Sequence, residues 1–234
     1  MITVCTHQSQ GLRDEQEDRV LSLPASGLAA VADGLGGHED GAQAAQAAVD
    51  TIANGSGVPP SLEVIGHLFS SAHRAVAALG PRCYATNEVG QHKMSCGCRR
   101  LPATTLSVLW LDGDKALIGH VGDTRIWRVR RVTNGKAEML TTDHGGPWGL
   151  TRIVGGRSED APDLLETDAR SGDVFVLVSD GVHLTGDRIA EVLAGGPFEQ
   201  AAERLVEAGQ VEYAKRSPRT DNATAIVIRV EAAP

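Results

Sequence analysis

Apolar residues fall into short runs at residues 2–5, 20–23, 28–32, 105–111, 116–121, 126–130, 174–178 and 223–230, a pattern that predicts strands. Two of them, L-S-V-L-W-L and V-F-V-L-V, are apolar at consecutive positions, so both faces of those strands must be covered. Sheet packing on sheet, with helices outside, satisfies that demand. Ala-rich stretches at 41–53 and 61–79 follow one another and predict helices; in the second, Leu62, Ile65, Phe69, Ala72 and Val76 recur at spacings of three and four. Ser61 is placed to cap that helix, and Pro59 and Pro60 block an earlier start. A further helix is predicted over 198–208, with Gly209 as its C-cap. Helices in blocks rather than alternating with strands point to a layered α+β fold and away from a doubly wound parallel sheet. The segments 83–102 and 145–163 read as long surface loops. No repeat or low-complexity linker divides the chain, so 1–234 is expected to form a single domain.

Composition narrows the function classes. Lys and Arg total 22 against 30 Asp and Glu, a net charge of −8 without any basic block, which argues against nucleic acid and anionic membrane as partners. Only 3% of residues are aromatic, so the core must be built from Val, Leu, Ile and Ala. The first residues lack the basic start and apolar stretch of an export signal, and a cytoplasmic location is expected. Cys5, Cys83, Cys96 and Cys98 then read as thiols rather than bridges. Cys96 and Cys98, with Cys83 and His92 nearby, do not have the paired spacing of a zinc site and read as loop thiols.

Acidic residues stand where apolar runs stop. Asp33 follows L-A-A-V-A, Asp123 follows A-L-I-G-H-V-G, and Asp180 follows V-F-V-L-V-S; Glu17 and Asp18 precede the second run, and Asp221 and Asn222 the last. Singly, such residues are ordinary turn formers. Gathered in one place, they would carry a charge that divalent cations neutralise more readily than proton uptake does. An all-oxygen ligand set suits Mg²⁺ or Mn²⁺ over Zn²⁺ or Cu²⁺.

The runs R-D-E-Q-E-D at 13–18, A-D-G-L-G-G-H-E-D-G at 32–41, A-T-T-L at 103–106, V-G-D-T-R at 121–125, L-T-T-D-H at 140–144, V-S-D-G at 178–181 and D-N-A-T at 221–224 together resemble the ordered signature of the PPM family. These are metal-dependent serine/threonine protein phosphatases, often called type 2C, and the bacterial-style members are nearest in pattern. The resemblance implies an α-β-β-α sandwich of two antiparallel sheets flanked by helix pairs. It also implies two Mn²⁺ or Mg²⁺ ions, with a third in some bacterial members, that activate a water for attack on phosphorus. On that resemblance Asp33 bridges the two ions, Gly34 offers its backbone oxygen, Glu17 helps hold the second ion, and Asp180 and Asp221 complete the first. Asp18 acts through water, Asp123 recruits the third ion, and Arg13 grips the phosphate. Phosphorylated proteins, and a Ser/Thr kinase whose action is reversed, are the implied partners.

Departures from the pattern leave every proposed ligand in place. Leu35 stands where many animal members have a histidine that protonates the leaving group; Gln16, Thr124 and Gly145 replace Asn, Ser and Ser. Only G-G-P-W-G at 145–149 fills an interval that holds a longer flap in bacterial relatives, so a shortened flap and an open cleft edge are expected. Thr104, Thr105, Thr124 and Asn222 read as hydrogen-bonding groups that position strands, and His38 and His144 as capping or supporting groups. Two other functions compete with a protein phosphatase: a catalytically silent binding module of the same fold, and a hydrolase of small phosphoesters. Retained clustered carboxylates weigh against the silent module, because they destabilise a fold that has no use for them.

Overall fold

The computed structural model describes residues 1–35, 40–80, 101–130, 136–146, 149–157, 159–217 and 219–232. In chain order the first half runs β1 (Ile2–Ser9), β2 (Asp18–Leu23), β3 (Leu28–Asp33), α1 (Gly41–Asn54), α2 (Leu62–Ala78), β4 (Ala103–Thr104), β5 (Leu106–Asp112), β6 (Lys115–Val121) and β7 (Arg125–Val129). The second half runs β8 (Ala137–Met139), β9 (Gly145–Gly146), β10 (Gly149–Leu150), β11 (Val154–Gly155), β12 (Asp163–Asp168), β13 (Val174–Val178), α3 (Gly186–Ala194), α4 (Ala201–Ala214) and β14 (Ala223–Val230).

Two five-stranded sheets, in the orders β1-β14-β13-β7-β8 and β12-β6-β5-β3-β2, are antiparallel throughout. Alternation within each strand sorts side chains between two environments. In β3, Leu28, Ala30 and Ala32 meet Ala45, Ile52 and Phe69 of α1 and α2, while Ala29 and Val31 face the other sheet. In β13, Val176 and Val178 pack under Ile189 of α3 and Leu205 of α4, while Phe175 and Leu177 enter the layer between the sheets with Ile226 and Ile228. The α+β reading and the helix-sheet-sheet-helix layering both hold. Strands apolar on both faces are those with a helix on one side and a sheet on the other.

Most element boundaries follow their sequence signals. Ser61 accepts the Val64 N–H at 3.1 Å as the cap of α2. Three differences have physical reasons. Gly209 does not end a helix: α4 continues to Ala214, and Gly209 is buried against the backbone of Val182, where a Cβ would lie 2.7 Å from the Val182 Cα. Helix α3 is capped by Thr185, and its buried face holds only Ile189 and Val192, too few apolar residues to announce it. The segment 145–163 is not simply loop. It holds the pair β9 with β10 and the strand β11, which bonds to β4, and it ends at β12, an edge strand paired to β6 through its backbone while Leu164 and Leu165 stay exposed. His38, His92, Cys83, Cys96 and Cys98 lie outside the described residues. Among those described, no helix is long and apolar enough to cross a membrane.

Candidate active site

Antiparallel pairing decides where the acidic residues meet. Strands β3 and β13 end, and β2, β7 and β14 begin, at one edge of the sandwich. Asp33 closes β3 and lies in register with Asp18, the first residue of β2. Asp180 follows β13, Asp221 precedes β14, and Asp123 sits in the connection from β6 to β7 that crosses between sheets. Glu17, Asp33, Asp123, Asp180 and Asp221 thereby line one cleft of about 660 Å³, together with Arg13, Gly34 and Leu35. Asp18 is buried beside it. The far wall is made by Gly145, Gly146, Gly149, Leu150 and Ile153.

Hydrogen bonds hold this edge rigid. The Asp33 N–H donates to Thr105 Oγ1 at 3.0 Å, and Thr104 Oγ1 donates to the Asp33 carbonyl at 2.8 Å. Asn222 accepts the Glu17 N–H at 2.8 Å and donates from Nδ2 to the carbonyls of Gln10 and Glu15, both at 2.9 Å, so one amide fastens the Glu17 loop to β14. Thr124 meets Ser107 at 2.7 Å behind Asp123. Gly34 N–H donates to the Glu17 carbonyl at 3.3 Å, and a Cβ there would collide with the Gly41 carbonyl, so this backbone passes where no side chain fits. Arg13 pairs with Asp221, Nη2 to Oδ2 at 2.6 Å, rather than with its neighbours Asp14 or Glu15; it stays 44% exposed at the rim.

Burial and mutual repulsion set the charge state of the acids. The Asp33 carboxyl is held well above the ordinary range, first by burial and then by Asp18 and Asp180. Burial pushes Asp180 up to about 7, with Asp221 and Asp123 adding to it. Asp18 is pushed up to about 6 by burial, against hydrogen bonds from Thr224 at 2.6 Å and Ser179 at 2.8 Å that favour its ionised form. Glu17 and Asp123 are also raised, burial being the larger cause for each.

Such a set fits hard divalent cations. Asp18 Oδ1 is buried without a hydrogen-bond partner, an acceptor that a cation's water shell would satisfy. Among the described residues, no three His, Cys, Asp or Glu side chains are drawn together closely enough to hold a metal ion by themselves. The acids line an open cleft instead, as suits an ion that keeps several waters. Two contributors escaped the sequence reading. Ser179 bonds Asp18 and accepts the Thr224 N–H, a role hidden inside the V-S-D-G run. Tyr213, whose hydroxyl lies 3.4 Å from Asp221 Oδ2, belongs to the part of α4 beyond Gly209.

Comparison with known proteins places the chain in a family. The family model described as Protein phosphatase 2C matches residues 6–217. The serine/threonine protein phosphatase PstP of Mycobacterium tuberculosis is 27% identical over 241 residues, covering 94% of this chain and 43% of its own length. The protein phosphatase PhpP of Streptococcus pneumoniae is 25% identical, covering 85% of this chain and 83% of its own. This chain spans less than half the length of the first curated relatives it matches. Among solved structures, the catalytic domain of PstP in complex with two manganese ions superposes with a TM-score of 0.78 at 24% identity, covering 99% of both chains. PppA of Pseudomonas aeruginosa, a regulatory component of T6SS, gives 0.75 at 26% identity, covering 97% of each.

Proposed function

We propose, since this chain belongs to the protein phosphatase 2C family, that it hydrolyses phosphoserine and phosphothreonine esters on proteins and so reverses the action of a Ser/Thr kinase in the cytosol. The observation that carries this reading is the convergence of Glu17, Asp33, Asp123, Asp180 and Asp221 with Arg13 in one cleft. PstP, named a serine/threonine protein phosphatase, and PhpP, named a protein phosphatase, support the substrate class.

In this reading two divalent ions, Mn²⁺ or Mg²⁺, would be held by Asp33 together with Asp180 and Asp221 for the first and with Glu17 and the Gly34 carbonyl for the second. Asp18 would act through water, and Asp123 would hold a weaker third ion. Bound there, the ions supply Lewis-acid charge and an acidified water for in-line displacement at phosphorus. The chain's own groups do the rest. Arg13 leaves Asp221 for the phosphate, where its planar fork matches the oxygens. The Thr104, Thr105 and Asn222 bonds keep the acids aimed into the cleft. Leu35 provides no proton for the leaving alcohol.

Residues 1–234 act as one phosphatase domain, and the pair β9 with β10 replaces a longer flap. Selectivity then resides in other loops, and grafting a full-length flap between Gly145 and Gly149 is expected to change discrimination among phosphoproteins; unchanged discrimination would refute the point.

The direct test is phosphate release from a phosphothreonine peptide with and without Mn²⁺. Asp33→Ala and Asp180→Ala are each expected to lower Mn²⁺-dependent turnover by more than about 100-fold. Retained activity in either variant refutes the mechanism, activity on aryl phosphate alone favours the small-phosphoester hydrolase, and wild-type inactivity on both favours the silent module.

A further inference from the structure

Every polar group of His144 has a partner, and the partners lie on three segments of the chain. The His144 N–H donates to the Gly122 carbonyl at 2.7 Å, and the Gly122 N–H donates to its Nδ1 at 3.1 Å, so one residue grips the two peptide units that meet at Gly122, just before Asp123. With Nδ1 accepting, the ring proton sits on Nε2, which donates to Asp163 Oδ2 at 3.0 Å, the first residue of β12. Arg152 Nη1 holds the other oxygen of that carboxylate at 2.6 Å and lies 3.2 Å from His144 Nε2, a contact between two protonated nitrogens rather than a hydrogen bond. The His144 carbonyl accepts the Thr151 N–H at 2.8 Å, which closes the short hairpin of the cleft wall. The ring is buried, and its centroid lies 4.7 Å from that of the His120 ring, the two planes tilted by 38°. Asp123 and the hairpin line the same cleft from two sides, and His144 is the link between them.

We propose that His144 is a positioning residue that couples the hairpin wall to the Asp123 carboxylate. This inference rests on the reading that the cleft holds divalent cations with Asp123 on the weakest. A peptide pressing on the hairpin acts through Thr151 and His144 on the turn at Gly122, and so on the orientation of Asp123. By linkage, a cation at Asp123 and a phosphopeptide on the hairpin each strengthen binding of the other. The shortness of this hairpin makes the path direct: residues 144 and 151 close it, and no longer insertion intervenes.

The test compares wild type with His144→Leu, His144→Asn and Asp163→Asn by Mn²⁺ calorimetry, and by amide hydrogen exchange at Gly122 in the metal-free protein. Wild type is expected to bind Mn²⁺ in a tight and a weak class. His144→Leu is expected to weaken the weak class about tenfold with the tight class unchanged, and to speed Gly122 exchange at least about tenfold. His144→Asn places its Oδ1 where Nδ1 stood, so Gly122 stays protected and most of the weak-class affinity returns. Asp163→Asn, at a half-exposed side chain, gives a smaller loss of the same kind and serves if His144→Leu fails to fold. A single class of sites in wild type overturns the proposal. So does equal weakening of both classes, an equal loss in the Leu and Asn variants, or unchanged weak-class affinity in Asp163→Asn together with His144→Leu. Both measurements read the protein without turnover. A wild type that shows the two classes yet releases no phosphate would therefore refute the phosphatase reading and leave this one standing.

Discussion

Asp18 is where burial and charge oppose each other most directly. One oxygen accepts from Ser179 and Thr224, and the other has no partner, although the residue is fully buried. An ionised carboxylate in that position costs stability until a cation and its water arrive. Asp18→Asn keeps the acceptor for both hydroxyls, removes the charge and adds a donor toward Asp33. The metal-free variant at about pH 8 is therefore expected to melt about 5 °C above wild type, while its Mn²⁺ affinity falls about tenfold. Thermal unfolding with a chelator and Mn²⁺ calorimetry check the two halves, and a lower melting temperature would contradict this account of the charge. Arg13 illustrates the same competition at the rim. Its pairing with Asp221 is the local cation's answer to an acid set among other acids, and it could not be foreseen from residues 13–18.

Helix α4 reaches the site through a close approach of its backbone as well as through the Tyr213 hydroxyl. Gly209 lets it settle on the turn formed by Asp180–Val182, with contact distances of 2.7 Å and 3.0 Å from a built Cβ to the Val182 Cα and the Gly181 carbonyl. Gly209→Val forces the helix away from that turn and is expected to cost about 1–3 kcal/mol in urea unfolding. Because Asp180 rides on the turn, Mn²⁺ affinity should fall as well; an unaltered affinity would mean that Asp180 is held by β13 alone. The same element explains why Gly209 misleads as a helix end. Glycine after a helical stretch is a good C-cap signal, but a close crossing between elements selects glycine just as strongly.

The folded chain carries two opposed sets of titrating groups. Asp180 and Asp18 are raised to about 7 and about 6, and Asp33 well above the ordinary range, burial leading in each case. The folded state binds these protons more tightly than the unfolded chain, so their contribution to stability is full below about pH 4 and is lost as pH rises through about 6 to 7. His120 has the opposite sign. Burial and then the neighbouring His144 hold it at about 4, so its contribution is full above about pH 6.5 and is lost as pH falls through about 4. Between about pH 4 and 6 the three raised acids outweigh the one lowered histidine, so the metal-free protein is expected to be most stable near about pH 4 and to weaken from there toward pH 8. Saturating Mn²⁺ should remove the alkaline decline, since a cation that binds only the folded state stabilises it by mass action. Melting temperatures across that range, with chelator and with Mn²⁺, provide the check; a chelated protein that gains stability toward pH 8 would contradict it.

Periodicity along the chain was enough to reveal the layers. The doubly apolar runs at 105–111 and 174–178 demand cover on both faces, and the stripe from Leu62 to Val76 demands a sheet beneath it, because side-chain burial is a local, alternating property. Acids at strand ends were visible for the same reason. The edge strands β8 and β12 were not, since they are held by backbone hydrogen bonds that leave little trace in side-chain pattern. The meeting of residues 17, 33, 123, 180 and 221 in one cleft, the capture of Asp221 by Arg13 and the junction at His144 depend on register between strands far apart in sequence. Only closure of the two antiparallel sheets decides which of those residues touch, because the free energy that aligns them belongs to the packed pair of sheets and not to any one segment.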